Sequence, residues 1–371
     1  MVSRAKEQSE QRESKTSRPA GGMKKASERV GIRAVARLAG VSIATVSRTL
    51  NGAVVDPKMV KRVRKAVDEC GYVPNTLGRA LVSGRSKILG VIISNLTNPF
   101  FPELIQRFDD FAVERGYEIL VAATYYDKNR MSHCVRRMIE RNVDGVAVMS
   151  IGIDDSSLEQ LAQREIPLVL VDRELNSART SVLQIDYHSG IRAGVQHLAD
   201  LGHRNIAFVS GPAKSHPANV RLTAFSRSLL ECGIQNKSTW IIEGDHTVEG
   251  GRRAMQQVLA LRDLPTAVMC SNDMTAIGVL HTLHQEGLRV PEDLSVIGFD
   301  DIYMAQVTIP PLTTIKVSQI EIARASVDAL CVSSSSLQHL GNSRKLNIQP
   351  SLVVRKSTGF PRGTMHDLLV G

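Results

Sequence analysis

From residue 87 onward, continuous apolar runs alternate with stretches of helical periodicity. The runs read ILGVIIS, YEILVAA, VDGVAVMS and PLVLVDR in a first series, and RNIAFVSG, TWIIEGD, TAVMCS and LSVIGFD in a second. Amphipathic patterns between them predict helices over PFFPELIQRFDDFAVERG and near residues 129–141, 218–232, 248–261 and 273–286. Valine- and isoleucine-rich strands separated by helices indicate parallel sheets covered on both faces. Two such series predict two doubly wound α/β lobes, whose facing strand ends form a cleft.

Ahead of the lobes, the pattern is helical in three short pieces, which read IRAVARLAG, SIATVSRTLNG and DPKMVKRVRKAVDECG. In the third piece Asp56 stands at the N-cap, Pro57 at the first helical position and Gly71 just past the end, which are the residues that helix termini favour. Three short helices predict a small all-α module. The segment YVPNTLGRALVSGRS that follows is the candidate hinge.

Charge is distributed unevenly between these parts. Residues 1–86 carry 18 Lys and Arg against 7 Asp and Glu, a net charge of +11, whereas the remainder carries 28 against 30 and the whole chain +9. A basic module on a nearly neutral body is typical of a polyanion-binding head joined to a second function. A solvated basic surface would produce the same charge run. Charge alone does not distinguish these two interpretations, so the helix pattern has to decide between them.

Other classes of function find no support in the sequence. The five cysteines are far apart and lack C-x-x-C or Cys/His ligand spacing, so no metal site is expected. No signal peptide and no membrane-spanning apolar run are found, so we expect a cytoplasmic protein without a membrane partner. The motifs G-x-S-x-G, H-E-x-x-H and the P-loop are missing, so neither an enzyme nor a cofactor is expected. A free-standing solute-binding protein is disfavoured by the basic head.

The segment VARLAGVSIATVSRTLNG has the features of a helix-turn-helix. Ala36 is small and Gly40 is permissive where the two helices meet. The positions that we predict at the DNA surface are Ser42, Ile43, Ala44, Thr45, Ser47, Arg48, Asn51 and Lys58. Arg48 would read a guanine bidentately and Ile43 or Ala44 a thymine methyl group, while Thr45, Lys58, Lys61 and Arg62 would contact phosphates. The alternative is a generic helical bundle with a basic surface.

These segments, together with GYVPN and GRAL, resemble the lactose/galactose repressor (LacI/GalR) family of transcription regulators. Further landmarks of that family follow in order over residues 31 to 360: SNLTNPFF, VDGVAVMS, VDR, LGHRNIAFVSGP, SNDMTAIG, LRVPEDLSVIGFDD and PPLTTI. The resemblance implies a helix-turn-helix headpiece on a two-lobed effector domain of the periplasmic-binding-protein type. It also implies a hinge helix whose Leu81 wedges into the minor groove of operator DNA. Packing between two hinge helices of a dimer is the alternative role for Leu81.

The pattern and the resemblance together divide the chain into five parts. These are a disordered tail (1–30), the headpiece (31–73), the hinge helix or linker (74–86), the effector-binding and dimerisation domain (87–360) and a second tail (361–371). Within the effector domain, the N-lobe is expected at about 87–185 and 316–343, and the C-lobe at about 186–315 and 344–360.

Polar and aromatic side chains at the predicted strand ends supply what a sugar site requires. Carboxylates and amides bind hydroxyls, an arginine fork binds ring oxygens, and aromatic faces cover the apolar side of the ring. The candidates are Phe100, Phe101, Asp172, Arg173, Arg221, His246, Asn272 and Asp300. These positions match residues that line sugar pockets in the family. His246 stands where an aromatic residue is common, and Val317 stands where a pentose-binding relative offers glutamine.

Each candidate also has a purely structural interpretation. Phe100 and Phe101 could belong to the lobe core, Asp172 and Arg173 could form a structural pair, and residues 272 and 300 could cap the helices that follow. The sequence thus predicts a repressor that binds a pseudo-palindromic operator as a homodimer and responds to a small carbohydrate whose identity stays open. Ligand in the cleft would change the angle between the lobes and thereby operator affinity.

Overall fold

The structure is a computed structural model, and it describes residues 31–73, 84–149, 155–175, 177, 179–213, 215–235, 237–331 and 345–362. The predicted N-terminal tail, most of the hinge with Leu81, and nearly all of the C-terminal tail lie outside the described residues. The chain forms two compact units, with the division at residues 76 and 77. Each unit is described below by itself.

The first unit contains three helices, namely α1 (Ile32–Ala39), α2 (Ile43–Leu50) and α3 (Pro57–Cys70). Apolar side chains from all three meet in a small core of Val35, Ala36, Ala39, Val46, Val63 and Ala66. Gly40 ends α1 in the left-handed conformation (φ 60°), and Gly71 ends α3 in the same way. The side chain of Asp56 caps α3, as the sequence predicts. The three predicted helices are confirmed.

The second unit contains two six-stranded sheets covered by helices. Its helices are α4 (Phe100–Glu114), α5 (Lys128–Glu140), α6 (Asp155–Ala162), α7 (Tyr187–Asp200), α8 (His216–Glu231), α9 (Val248–Leu259), α10 (Asp273–Gln285), α11 (Met304–Val307) and α12 (Gln319–Cys331). Its strands are β1 (Ile88–Ile93), β2 (Glu118–Ala123), β3 (Gly145–Met149), β4 (Leu168–Val171), β5 (Thr180–Ile185), β6 (Ile206–Val209), β7 (Ile241–Ile242), β8 (Ala267–Cys270), β9 (Ser295–Asp300), β10 (Thr313–Lys316), β11 (Lys345–Ile348) and β12 (Ser351–Val353).

Each sheet is the core of one lobe. The N-lobe sheet has the order β11-β5-β4-β3-β1-β2, and the C-lobe sheet has the order β12-β10-β9-β8-β6-β7. The central strands β1, β3, β8 and β9 are almost wholly buried, because helices cover both faces. The pairings between strands are parallel except at one edge, where β12 runs antiparallel to β10. The predicted architecture of two doubly wound lobes is confirmed.

The chain crosses between the lobes after β5, after β10 and after β11. The sequence-based division is wrong at the third crossing, because it assigned residues 344–360 to the C-lobe. Strand β11 pairs with β5, with Lys345 opposite Val182 and Ile348 opposite Ile185, so it belongs to the N-lobe. A four-residue strand with two exposed positions gives little indication of its partner, since pairing with a distant strand is set by the tertiary fold.

Candidate functional sites

A cavity of about 420 Å³ lies between the carboxyl ends of the strands of the two lobes. All eight residues that the sequence predicts for an effector site line it: Phe100, Phe101, Asp172, Arg173, Arg221, His246, Asn272 and Asp300. The wall also contains polar residues that the sequence analysis did not single out, namely Asn98, Tyr126, Glu174, Tyr187 and His216. The topology therefore brings together side chains from strand ends and helix starts of both lobes at one place.

Arg221 projects from α8 into the C-lobe wall of the cavity. Its guanidinium carbon lies 4.2 Å from the centre of the Phe299 ring and 5.0 Å from that of Tyr187, and these two rings stack on each other. One terminal nitrogen donates to the carbonyl of Ser271 at 2.5 Å. The Nε atom is buried and has no hydrogen-bond partner. Arg221 is thus packed against two aromatic rings in the cavity wall, and its Nε–H is a buried donor that no described protein group satisfies.

Asp300 ends β9 and is 4 % exposed. One of its carboxylate oxygens lies 3.9 Å from Arg221, which is an ion pair without a close hydrogen bond. Burial raises the pKa of Asp300 to about 6, although Arg221 and a hydrogen bond from Asn98 counteract this. Its neighbour Asp301 turns to the opposite side and pairs with Arg355 at 2.6 Å. The two side chains therefore point apart, as side chains of adjacent residues at a strand end commonly do.

Asp172 follows β4 on the N-lobe side of the cavity, with its backbone in the left-handed conformation (φ 55°). It accepts hydrogen bonds from the hydroxyl of Tyr187 at 2.6 Å and from the backbone amide of Ile185 at 2.8 Å. Burial raises its pKa, and these two bonds act in the opposite direction. Because Asp172 belongs to the N-lobe and Tyr187 begins the first C-lobe helix, this bond fixes the cavity wall at the crossing between the lobes.

His246 lies beyond β7 in a left-handed conformation (φ 64°), and its carbonyl accepts from the side-chain amide of Asn272 at 3.1 Å. The Nε2 atom of the imidazole is buried and unpartnered. A Cβ at Gly211 would stand 1.9 Å from this atom, so the ring occupies the space that the glycine leaves. Burial lowers the pKa of His246 to about 3, so the ring is neutral at physiological pH. Asn272 also caps α10, which confirms its structural interpretation beside its place in the wall.

Tyr126 is the most informative residue that the sequence analysis missed. It stands beyond β2 with φ 62°, next to Tyr125 with φ 50°, and its side chain is 48 % exposed at the edge of the cavity. Desolvation raises its pKa, and Arg221 and Asp300 of the opposite lobe are close enough to influence it. The sequence could have identified Tyr126, because the segment TYYD directly follows a predicted strand, and a position after a strand was the criterion that selected the other candidates.

A further contact joins the lobes beside the cavity. Glu103, on the first turn of α4, accepts from the backbone amide of Tyr303 in the C-lobe at 3.0 Å. Its other oxygen accepts from the side chain of Gln319 at 3.4 Å. Since Phe100 and Phe101 lie on the same helical turn and partly pack against the main core, both interpretations of these two rings, as core and as cavity wall, are correct.

The first unit carries the candidate DNA-binding face. On α2, Ile43, Ala44 and Arg48 are exposed as predicted, while Thr45 and Ser47 are half-buried. The hydroxyl of Ser42 accepts from the amide of Thr45 at 3.1 Å and also contacts its hydroxyl at 2.9 Å. Arg62 donates to the carbonyl of Gly40 at 2.9 Å, so it holds the turn between α1 and α2.

Within the described ranges, no three histidine, cysteine or acidic side chains are grouped so that they could hold a metal ion. None of the helices described there is long and apolar enough to span a bilayer.

Comparisons with known proteins agree with this architecture. Residues 31–75 match the model of bacterial regulatory proteins of the lacI family, and residues 195–358 match a periplasmic binding protein-like domain. The HTH-type transcriptional repressor PurR of Photobacterium profundum is 34% identical over 328 residues, covering 88% of this chain and 98% of that protein. The chain belongs to the lacI family. Catabolite control protein A of Priestia megaterium is 35% identical over 77% of this chain and 87% of its own.

Solved structures of the lacI family show the same fold. A lac repressor dimer bound to operator and the anti-inducer ONPF matches with a TM-score of 0.79 at 29% identity, covering 90% of this chain and all of that one. The CelR–cellobiose complex matches with a TM-score of 0.65 at 28% identity over 89% of this chain. This lacI-family chain is therefore a DNA-binding transcriptional repressor under effector control, and its named relatives are regulators rather than enzymes.

Proposed function

We propose that this repressor binds a pseudo-palindromic operator as a homodimer and that a small neutral carbohydrate in the interlobe cavity controls it. The observation that carries the effector part is the C-lobe wall, where a stacked arginine with an unused donor faces a buried carboxylate. The residues that we assign to the effector are Phe100, Phe101, Asp172, Arg173, Arg221, His246, Asn272 and Asp300. Those that we assign to DNA are Ser42, Ile43, Ala44, Thr45, Ser47, Arg48, Asn51 and Lys58.

Several features of the cavity favour a neutral polyhydroxylated ligand. The wall contains three carboxylates and two arginines, so neither a strongly anionic nor a strongly cationic ligand is favoured. The neutral imidazole of His246 can donate or accept, as a hydroxyl requires. The relative CelR has cellobiose in its complex, which supports a sugar for this family member. A planar nitrogenous base is the competing class, since the aromatic side chains of the wall would stack on it as well.

The test is a thermal-shift screen followed by calorimetric titration. The panel contains D-glucose, D-galactose, D-ribose, D-fructose and cellobiose as sugars, and adenine, guanine and hypoxanthine as bases. We expect one of the sugars to raise the melting temperature, because a ligand that binds only the folded state stabilises it. Arg221→Ala and Asp300→Ala should each weaken binding of that sugar about tenfold or more, since a charge-assisted hydrogen bond contributes on the order of 1.5–3 kcal/mol.

The matched control is Arg289→Ala, which removes an exposed arginine that pairs with Asp293 and does not line the cavity, and which should leave the affinity unchanged. Sugar affinity equal to wild type in both cavity variants contradicts the site. If only a base raises the melting temperature, the effector is a planar nitrogenous base and the proposed sugar is wrong.

The homodimer is supported by an apolar surface around α11. Tyr303, Met304, Val307 and Ile309 are exposed, Ile309 by 95 %. Contiguous exposed apolar residues on a water-soluble domain commonly mark an interface. Sedimentation equilibrium should show a dimer that Val307→Asp converts to monomer, whereas Leu264→Asp, at an isolated exposed position, leaves the dimer intact. A dimer unaffected by Val307→Asp would place the interface elsewhere.

A further inference from the structure

We infer that Asp273 and Arg355, which do not line the cavity, are positioning residues that hold Asp300 in the orientation in which it faces the ligand. The inference rests on the proposed function, in which Asp300 binds the effector. It explains the hydrogen bonds of Asp273 and the ion pair of Arg355, two residues that would not contact the effector themselves.

The backbone at the end of β9 is held in an unfavourable conformation. Asp300 has φ 117° and Asp301 has φ 58°, so two successive residues with side chains lie in the region that favours glycine. Such conformations persist only where surrounding contacts impose them, and they are concentrated at functional sites. The side chains of Asp273 and Arg355 supply such contacts.

Asp273 holds the loop from the side of α10. Its Oδ2 accepts from the backbone amide of Ile302 at 2.9 Å, and its Oδ1 accepts from the hydroxyl of Thr314 at 2.5 Å. The residue is wholly buried, and a Cβ at Gly298 would stand 2.1 Å from its Oδ1, so the glycine provides the space for the carboxylate. Ile302 is thereby fixed two residues beyond Asp300.

Arg355 holds the loop from the side of β12. One terminal nitrogen donates to Asp301 at 2.6 Å, and the other donates to the carbonyl of Leu312 at 2.8 Å. The Arg355 and Asp301 side chains are only 15% and 9% exposed, so water competes weakly for this pair. Because Asp301 is drawn away from the cavity, the side chain before it must point toward the cavity.

Together the two anchors fix residues 301 and 302, and they leave Asp300 only the orientation toward Arg221. Without either anchor the strained backbone should relax, and the Asp300 carboxylate should turn out of the wall toward solvent. This consequence can be measured without any ligand, because a carboxylate in water titrates near its ordinary pKa whereas the buried one titrates near 6. The other ionisable groups that face Asp300 are Arg221, Glu103, Asp273 and Tyr126.

The experiment compares the effect of Asp300→Asn on the melting temperature of the ligand-free full-length protein at pH 5.0 and pH 7.5, in three backgrounds. In the wild-type background the substitution should stabilise more at pH 7.5, where it removes a buried charge, than at pH 5.0, where the acid is already mostly neutral. In Arg355→Ala this difference between the two pH values should disappear. In Asp273→Ala it should disappear as well, because the Ile302 amide and the Thr314 hydroxyl then lose their acceptor.

Arg355→Lys is the second variant in case Arg355→Ala does not fold. Lysine can serve Asp301 or the Leu312 carbonyl but not both in the same geometry, so the pH difference should shrink. If Arg355 has a purely structural role, its substitution lowers every melting temperature but leaves the effect of Asp300→Asn as different between pH 5.0 and pH 7.5 as in the wild type. That result overturns the inference.

The same variants separate this inference from the proposed function. With the panel sugar that gives the largest wild-type thermal shift, Arg355→Ala should weaken affinity about tenfold in the wild-type background and not at all in the Asp300→Asn background. An undiminished affinity in Asp300→Asn contradicts the proposed function alone. Full additivity of the two substitutions contradicts the positioning role alone.

Discussion

At the scale of single residues, the buried carboxylate of Asp300 lowers the free energy of unfolding at neutral pH. Its folded-state pKa lies near 6 against an ordinary value of 3.8, so its contribution to stability is fully present below pH 3.8 and is lost as the pH rises through 6. Asp300→Asn should therefore stabilise the ligand-free protein at pH 7.5, by on the order of 1–3 kcal/mol. Chemical denaturation at pH 5.0 and 7.5 measures this. A loss of stability at pH 7.5 would instead make the Arg221–Asp300 contact a structural ion pair.

Arg48 is the long cationic side chain on the exposed face of α2. If it reads a base edge, Arg48→Ala should weaken binding to a selected operator by about 1–3 kcal/mol and binding to random DNA by less. Arg33→Ala removes an exposed charge from α1 and serves as the control, with similar losses on both DNAs. Fluorescence anisotropy titrations measure both affinities. Equal losses for Arg48→Ala would show that it contacts phosphate only.

The residues of the cavity wall were predictable to different degrees. The eight candidates were found because polar and aromatic side chains at strand ends must converge in a doubly wound fold. Tyr187 was missed because the strand before it, TSVLQI, has a mixed pattern, and without a recognised strand there is no strand end. The pairing of Arg355 with Asp301 was also beyond reach, because it depends on an antiparallel edge strand formed near the C-terminus.

At the scale of elements, the turn between α1 and α2 combines two constraints. Gly40 has φ 60°, and a Cβ there would stand 2.5 Å from a terminal nitrogen of Arg62. Gly40→Ala should destabilise the first unit by about 1–2 kcal/mol from the backbone alone and by more through Arg62. Gly52→Ala is the matched control, because Gly52 has φ 71° with open space around it.

Hydrogen exchange of residues 31–73 in the full-length protein measures this difference. We expect faster exchange in Gly40→Ala than in Gly52→Ala. Identical exchange in the two variants would mean that Arg62 moves away without cost and does not hold the turn.

Helices with clear caps were predicted best. The bounds of α3, α5, α9 and α10 agree with the sequence to within about two residues, which is the usual uncertainty of helix ends. Helices α6, α7, α11 and α12 were not anticipated. In α7 and α12, small residues occupy several of the buried positions, where larger apolar residues would show the helical periodicity. The amphipathic pattern of these two helices is therefore weak.

At the scale of the whole molecule, the uneven charge predicts where DNA binding lies. Deletion of residues 1–86, which carry the net charge of +11, should abolish binding to duplex DNA, and the affinity of the intact protein should fall steeply as salt rises because phosphates release counterions. Binding isotherms at several salt concentrations measure both. Unchanged affinity after the deletion would place the DNA-binding surface on the effector domain.

The chain passes between the lobes three times. Because these crossings depend on contacts between distant parts of the chain, the sequence pattern predicted both lobes correctly but assigned β11 to the wrong one. In the proposed mechanism of control, a ligand that contacts both walls favours one angle between the lobes.

The most direct test of this account is the operator affinity of wild type and Asp300→Asn, each with and without a saturating concentration of the panel sugar that stabilises the wild type. The account predicts that the sugar changes the wild-type affinity about fivefold or more. It also predicts that Asp300→Asn binds operator as tightly as the ligand-free wild type and fails to respond at the same sugar concentration. An undiminished response in Asp300→Asn would contradict control through this cavity.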